Sequence, residues 1–271
     1  MNKFTRRTVI AAACAAAAMP FGPMSFAQQA PEKKDVTIAV GGKSLYYYLP
    51  LSIAEQLGYF KDEGLNVKIV DFQGGSRSLQ AVVGGSADVV SGAFEHTISM
   101  QAKKQPMTAF VLQGRAPQLA LVVSNKTMKD YKQLSDLKGK KVGVTAPGSS
   151  SQMVANFILK KGGLGPKDVA FIGVGSSSGA VSAIRSGQID ALINLDPVIT
   201  ILLKNGDAKL VADTRKVKES ESFFGGTMPA GCLYAPVSFV EKNPKTVQAL
   251  TNAIVRSEEH TSELQSRITI S

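Results

Sequence analysis

Apolar runs and helical patterns alternate along the chain from Asp35 onward, and this alternation predicts an α/β protein. A β-rich run at 36–40 ends at two glycines, and a periodic apolar segment at 49–57 follows it. The same order of strand, loop and helix returns between Lys141 and Ile193. Alternating elements of this kind are typical of mainly parallel sheets that are faced by helices.

A second pattern is an internal match in which the two members of every pair are 102 positions apart. The match pairs Ser76, Leu79, Ala81, Val82, Gly85 and Asp88 with Ser178, Val181, Ala183, Ile184, Gly187 and Asp190. A shared offset without gaps predicts two copies of a βαβα unit and therefore two similar α/β lobes. The apolar stretch at 113–124 is interpreted as a strand that crosses between them. In a two-lobed chain of this kind, we expect the cleft between the carboxyl ends of both sheets.

The N-terminal segment 1–27 has the features of an export signal. Lys3, Arg6 and Arg7 precede an apolar run at 9–21, and the tripeptide at 25–27 matches a small-x-small cleavage site. The apolar run is shorter than the roughly 20 residues that a membrane-spanning helix needs. The paired arginines also resemble a twin-arginine export motif. We therefore expect export to the periplasm and a mature chain that starts near Gln28.

The C-terminal segment 256–271 follows a helical pattern but has no apolar period of its own. Its sequence resembles the translation of a common sequencing-adapter read, so it is predicted to be an artefact that interrupts the natural reading frame after Val255. The rest of the chain is predicted to form a first lobe at 28–114 and a second lobe at 115–205. The segment 206–255 is predicted to return toward the first lobe.

Composition and charge narrow the function classes. Outside its two terminal segments, the chain of 271 residues keeps 26 basic and 18 acidic residues, and a basic surface favours anionic solutes or an acidic partner. The lysines are spread among acids, and no dense basic run with aromatic residues indicates nucleic-acid binding. Cys232 is then the single cysteine, which excludes an internal disulfide and predicts a small buried apolar residue. His96 is the single histidine outside the two terminal segments, which argues against a metal site.

A series of short motifs gives the chain a family resemblance. The motifs are PLSIAE at 50–55, GYFKDEGL at 58–65, GGS at 74–76, GSAD at 85–88, LKGKKVGV at 137–144, GQIDA at 187–191 and DP at 196–197. In this order, over about 35–255, they resemble the nitrate/sulfonate/taurine solute-binding family of ABC importers. The resemblance implies a bilobal type II periplasmic-binding fold whose lobes close on a solute. It also implies a permease at the inner membrane as partner, and it leads us to expect a monomer without catalytic residues, metal or cofactor.

Four loops are expected at the cleft if this fold is correct: 41–46, 74–76, 148–151 and 194–196. Two of them place glycine and serine at a helix start, where free amides and the helix dipole favour an anion. The alternative is that Ser76 and Ser150 merely cap their helices. The recurrence of the pattern in both lobes favours contact with a solute.

Charged and aromatic residues complete the predicted site. Lys43 and Arg77, with Arg115 as a third candidate, would add positive charge. One tyrosine of the run at 46–48 would stack on the solute, and the others would pack into the lobe. Glu95 would repel an anion, so it indicates either a solute with an amino group or a partner for Lys43 or Arg77. The predicted ligand-binding set is Lys43, Ser44, Leu45, Tyr46, Gly75, Ser76, Arg77, Phe94, Glu95, His96, Gly148, Ser149, Ser150, Asn194 and Asp196.

The predicted function is capture of a small anionic solute, such as a sulfonate, taurine or nitrate, in the interlobe cleft by hinge closure. A neutral pyrimidine precursor or an aromatic acid is an alternative solute, and a membrane receptor is an alternative partner. The enzyme alternative is a thiamine-pathway enzyme of the same fold class that uses pyridoxal phosphate and iron. That enzyme type carries a cysteine-rich motif, which this chain lacks.

Overall fold

The computed structural model describes the backbone of residues 30–269 and the side chains of residues 30–259. The predicted signal peptide at 1–27 lies outside the described residues. Within them, the chain forms two sheets of five strands each, which confirms the predicted α/β class.

The first sheet has the strand order β2-β1-β3-β10-β4. Its strands are β1 (Asp35–Val40), β2 (Asn66–Asp71), β3 (Val89–Ala93), β4 (Met107–Leu112) and β10 (Gly231–Pro236). Four strands run in the same direction, and β10 runs antiparallel to both of its neighbours. Its helices are α1 (Leu49–Gln56), α2 (Tyr59–Asp62), α3 (Gly75–Val83), α4 (Glu95–Ala102), α9 (Val237–Lys242) and α10 (Pro244–Thr269).

The second sheet repeats this arrangement with the order β7-β6-β8-β5-β9. Its strands are β5 (Ala120–Ser124), β6 (Lys141–Val144), β7 (Ala170–Gly173), β8 (Ala191–Asn194) and β9 (Ala208–Asp213). Here β5 is the strand that runs against its neighbours. The helices of this part are α5 (Ser150–Lys161), α6 (Ser178–Ser186), α7 (Val198–Lys204) and α8 (Val217–Phe224). Each sheet is therefore mainly parallel, as predicted.

The internal match at an offset of 102 residues corresponds to equivalent structure. The Asp88 carboxylate accepts a hydrogen bond from the Thr37 amide at 2.9 Å, and the Asp190 carboxylate accepts one from the Lys141 amide at 2.9 Å. Asp88 thus connects the turn before β3 to β1, and Asp190 connects the turn before β8 to the start of β6. The matched apolar residues of α3 and α6 are buried against their own sheets.

The chain crosses between the sheets at 113–119 and again at 214–230. The segment predicted as a crossing strand, 113–124, is irregular up to 119 and then becomes β5 within the second sheet. The predicted end of the second lobe at 205 is too early, because β9 pairs with β5 up to Asp213. The reason is that β9 is a short edge strand outside the repeated βαβα unit, and it belongs to the second sheet only through its pairing with β5.

Cys232 lies in β10 and is 1% exposed, which confirms its predicted role as a small buried residue. Nearby in the same core are Val90, Met100 and Tyr234. In the described residues, no helix is long and apolar enough to span a membrane.

The C-terminal helix α10 continues through Val255 into the segment that was predicted to be an artefact. Arg256 extends over the Tyr59 ring at 4.0 Å and donates a hydrogen bond to Asp62 at 2.7 Å. Ser257 is fully buried. The first residues of the segment therefore pack on α2, whereas the assignment of 256–271 to a sequencing adapter stays a prediction.

Candidate functional site

Loops that follow parallel strands of the two sheets meet face to face. The Tyr46 amide in the first lobe donates a hydrogen bond to the Asp196 carbonyl in the second, at 3.2 Å. Gly42 packs so closely on Ser176 that a Cβ at position 42 would overlap the serine side chain. A third contact joins Ser76 to the loop that precedes α5. The predicted cleft is therefore present, with its two sides in contact.

The contact at Ser76 is a short hydrogen-bonded network across the cleft. The Ser76 amide donates to Ser149 Oγ at 3.0 Å, and the Ser149 hydroxyl donates to Ser76 Oγ at 3.1 Å. The Ser76 hydroxyl in turn donates to the Pro147 carbonyl at 2.9 Å. Ser149 makes no cap bond to its own helix, and it is 1% exposed. Its hydroxyl thus satisfies an amide in the first turn of α3, in the other lobe.

This network corrects one expectation from the sequence. The two glycine-serine loops were predicted to hold a solute between them, but they touch each other directly. The Ser149 oxygen supplies the acceptor that an anion was expected to supply to the Ser76 amide. The loops are also not equivalent positions of the two lobes. The offset of 102 residues relates 74–76 to 176–178, and the loop at 148–150 follows β6, whose counterpart is β1.

A cavity of about 690 Å³, here called the outer cavity, opens beside this contact. Its polar lining includes Ser44, Gln73, Arg77, Thr145, Ser176 and Ser177. Arg77 is the cation in this lining. Asp71 is the carboxylate in it, and one of its oxygens accepts hydrogen bonds from the Gly42 and Lys43 amides at 2.8 and 2.9 Å. The remaining hydroxyls and the guanidinium are the groups that bind sulfonate-like anions.

A second space, the inner cavity, has a volume of only about 10 Å³, room for about one water molecule. Its walls come from both lobes and from both crossing segments. They are formed by Tyr47, Ala93, Glu95, Pro117, Ser150, Met153, Val154, Met228, Pro229 and Ala230. Any movement that separates the lobes would enlarge this cavity.

Glu95 is the ionisable carboxyl in the wall of the inner cavity. It is 8% exposed, and its Oε1 atom has no hydrogen-bond partner among the described residues. Burial raises the pKa of Glu95 to about 7, because the charged form loses its hydration. Lys43 does not neutralise it, since Lys43 Nζ lies 2.6 Å from Glu55 Oε2. Arg77 lines the outer cavity instead.

His96 lies behind the contact between the lobes. It is 4% exposed, its Nδ1 is 2.9 Å from the Tyr234 hydroxyl, and its ring packs against Gly75. Its Nε2 has no partner with hydrogen-bond geometry, although the Gly148 backbone is near enough to favour the protonated ring. Burial is the larger effect and lowers the pKa of His96 to about 4. His96 is therefore neutral at physiological pH.

The other predicted site residues lie in different surroundings. Leu45 is a core residue and Phe94 packs on the core of the first lobe, whereas Tyr46 is 64% exposed. Asn194 is fully buried, and its amide group donates to the Gly175 carbonyl at 3.0 Å. These positions do not bring their side chains together in one place.

Asp196 is engaged within the second lobe. One of its oxygens accepts from the Thr200 amide and hydroxyl at 3.0 and 2.7 Å, and the other accepts from Arg215 at 3.1 Å. Arg215 also pairs with Asp213 at 2.8 Å, and these bonds hold its pKa above the usual value. Asp196 therefore caps α7 and anchors Arg215, a residue that the sequence did not single out.

Sequence reasoning also missed several cavity residues. Gln73, Thr145, Ser176 and Ser177 belong to the outer cavity. The offset of 102 residues could have found the serines, because it maps the loop at 74–76 onto 176–178. No sequence pattern points to Met153 and Met228 of the inner cavity, because their position there depends on how the two lobes contact each other.

Comparison with known proteins assigns the chain to a protein family. The family described as "NMT1/THI5 like" matches residues 46–265. A 4-amino-5-hydroxymethyl-2-methylpyrimidine phosphate synthase of Schizosaccharomyces pombe is 25% identical over 225 residues, which cover 81% of this chain and 63% of that protein. The chain thus spans less than two thirds of the length of this curated relative.

Solved structures show the same fold. A protein from Bordetella bronchiseptica RB50 has a TM-score of 0.83 at 64% identity, over 84% of this chain and 72% of its own. The alkanesulfonate-binding protein SsuA from Xanthomonas axonopodis pv. citri, bound to MOPS, has a TM-score of 0.69 at 20% identity. That alignment covers 87% of this chain and 76% of SsuA. The fold is therefore the predicted type II periplasmic-binding fold.

Proposed function

The chain belongs to the NMT1/THI5-like family, and from this premise we propose that it is the solute-binding component of an ABC importer. It receives a small solute between its lobes and delivers it to a permease. One observation carries this role: loops of both sheets enclose two cavities, while the chain crosses between the sheets at 113–119 and 214–230. Two crossing segments allow the lobes to open and close as rigid bodies.

The outer cavity supports a small anion as the solute. Arg77 and several hydroxyls line it, and the carboxylate of Asp71 is engaged by backbone amides. SsuA, which shares the fold, is named for alkanesulfonate binding. A sulfonate group is therefore our first candidate for the part of the solute that enters this cavity.

A pyrimidine precursor is the second candidate, and it is supported by Glu95. A buried carboxyl with one oxygen left unpaired suits a solute that carries N–H donors. The curated relative in Schizosaccharomyces pombe is named as a pyrimidine phosphate synthase.

We propose binding and not catalysis for this chain. In residues 30–259, no three His, Cys, Asp or Glu side chains lie close enough together to hold a metal ion, so these residues do not fit the iron of the thiamine-pathway enzyme. His96 is turned toward Tyr234 inside the core. Incubating the chain with pyridoxal phosphate and ferrous iron should yield no pyrimidine product, and formation of one would contradict this proposal.

Export to the periplasm belongs to the same proposal. It is supported by the basic and apolar pattern of 1–27 and by the periplasmic-binding fold. Fractionation of cells that express the full chain should recover a shortened protein from the periplasm. Retention of an uncleaved chain in the cytoplasm would contradict it.

The experiment that tests the function is a thermal-unfolding screen of the purified chain against ethanesulfonate, taurine, nitrate and 4-amino-2-methylpyrimidine. A solute at a hundredfold excess over its Kd should stabilise the folded chain by about 2.7 kcal/mol. Isothermal titration should then give one site per chain. If none of these solutes raises the melting temperature, the importer role is contradicted.

A further inference from the structure

We infer that Glu95 and the inner cavity form a specificity subsite for a nitrogen-bearing group of the solute, a protonated amine or an amidine-like N–H donor. This inference rests on the proposed solute-binding function and deepens it. It changes the expected solute from a plain anion to a small molecule that carries such a donor.

The first observation is the state of the Glu95 carboxyl. Its Oε1 atom is buried and has no hydrogen-bond partner in the described residues. Buried polar atoms are almost always paired in folded proteins, and an unpaired carboxylate is among the costliest exceptions. A carboxyl oxygen of this kind accepts best from a charged nitrogen.

The second observation is that the protein supplies no cation of its own. No lysine or arginine is present in the lining of the inner cavity. The ionisable neighbours that interact with Glu95 are Tyr47, Tyr48, Cys232 and Tyr234, and burial raises the pKa of each of them. They are neutral at physiological pH, so a matching positive charge has to come from the solute.

The third observation is a second unpaired group at the same end of the first sheet. Gln113 Oε1 accepts from the Ser91 hydroxyl at 2.8 Å, whereas Gln113 Nε2 is buried without a partner. Glu95 and Gln113 follow β3 and β4, and β10 begins between these strands at Gly231. The Tyr47 ring and the Gln113 side chain both lie next to the position that a Cβ of Gly231 would occupy. This end of the sheet therefore offers an acceptor and a donor, beside an aromatic ring.

The walls of the inner cavity allow it to admit such a group. Glu95 and Tyr47 belong to the first lobe, Ser150 and Met153 belong to α5 of the second, and Met228 belongs to a crossing segment. At about 10 Å³ the cavity is too small for an amine-bearing solute while the lobes are in this contact. The cavity must be wider in the solute-bound protein, and the methionines can adapt to different shapes.

The test uses pairs of solutes that differ by one amino group. The probes are taurine against ethanesulfonate, and 4-amino-2-methylpyrimidine against 2-methylpyrimidine. Isothermal titration of the full chain at about pH 8 should show tighter binding of the amino member in at least one pair, by about 10- to 100-fold. Glu95→Gln should remove this preference, because it should lower the affinity for the amino member much more than that for the amino-free member. Glu241→Gln, an exposed carboxyl of the first lobe outside both cavities, is the control and should keep it.

The possible failures are distinct. If the wild-type chain binds amino and amino-free members equally, or if Glu95→Gln keeps the preference, the inference is overturned and solute binding stands. If Glu95→Gln lowers the affinity for both members to the same extent, Glu95 acts on the fold and the inference is again overturned. If the wild-type chain binds none of the four probes and does not bind nitrate, the solute-binding role fails together with the inference.

Discussion

The hydroxyl of Ser149 in the second lobe accepts a hydrogen bond from the amide of Ser76 in the first, over 3.0 Å. A helix in one lobe is thus capped by a side chain of the other. The bond can exist only while the lobes are in contact, so it stabilises this arrangement relative to a more open one.

Replacement of Ser149 by alanine should therefore destabilise the chain. The Ser76 amide and hydroxyl would each lose a partner, and loss of a helix cap costs about 0.5–2 kcal/mol. Urea unfolding measures this difference. Ser177→Ala is the matched control, because Ser177 precedes α6 and makes no cap bond through its side chain. Equal stability of both variants would contradict the cap assignment.

Arg77→Ala should weaken the binding of ethanesulfonate by about tenfold, because the outer cavity would lose its cation. The measurement is isothermal titration at low salt. Arg115→Ala is the control, since Arg115 is exposed and does not belong to the lining of either cavity. A similar loss in both variants would indicate a general effect of net charge and would contradict a contact by Arg77.

Glu95→Gln should change how stability depends on pH. Burial raises the pKa of Glu95 from 4.5 to about 7, so the folded chain retains a proton that the unfolded chain has released. The stability that Glu95 contributes is complete below about pH 4.5 and is lost as the pH rises through about 7. The variant should equal the wild type at about pH 4.5 and exceed it at about pH 8, by on the order of 3 kcal/mol.

Urea unfolding at about pH 4.5, 6 and 8 measures this difference, with Glu241→Gln as the control. His96 acts in the opposite direction, because its pKa falls from 6.5 to about 4 and its contribution is lost as the pH decreases through that range. Both chains share His96, so its effect cancels in the comparison. A difference that does not vary with pH would show that Glu95 is not protonated in the folded chain.

A chain that ends after Val255 should be less stable than one that ends after Glu259. The shorter chain loses the contact of Arg256 with Tyr59 and Asp62 and the buried Ser257. The Arg256–Asp62 pair is half-exposed, so we expect a loss of about 1 kcal/mol. Thermal unfolding of both chains measures it. Equal melting temperatures would contradict a stabilising role of these contacts.

The fold could be predicted from the sequence because its signals are local or regular. The β-rich run at 36–40 forms strand β1. The regular offset between Asp88 and Asp190 corresponds to the same hydrogen bond in both lobes. The end of the second lobe was missed because β9 lies outside the repeated βαβα unit and joins the sheet only by pairing with β5.

The site was predicted less well, since it depends on contacts between distant segments. The likeness of the loops at 74–76 and 148–150 reflects shared glycine and serine, and the chain places them at non-equivalent positions. Lys43 was assigned to the solute, but its charge is paired with Glu55. No local sequence pattern predicts the ion pair of Lys43 and Glu55, because it forms only when the loop that carries Lys43 folds back on α1.

The position of β10 has a consequence for biosynthesis. This strand lies between β3 and β4, and β4 pairs with no other strand in the first sheet. All strands of the second sheet, in contrast, are complete once Asp213 has been made. A chain of which only the part up to Asp213 is free to fold has every strand of the second sheet, whereas its first sheet still lacks its inner strand. The lobe that begins first in the sequence is therefore the one whose folding finishes last.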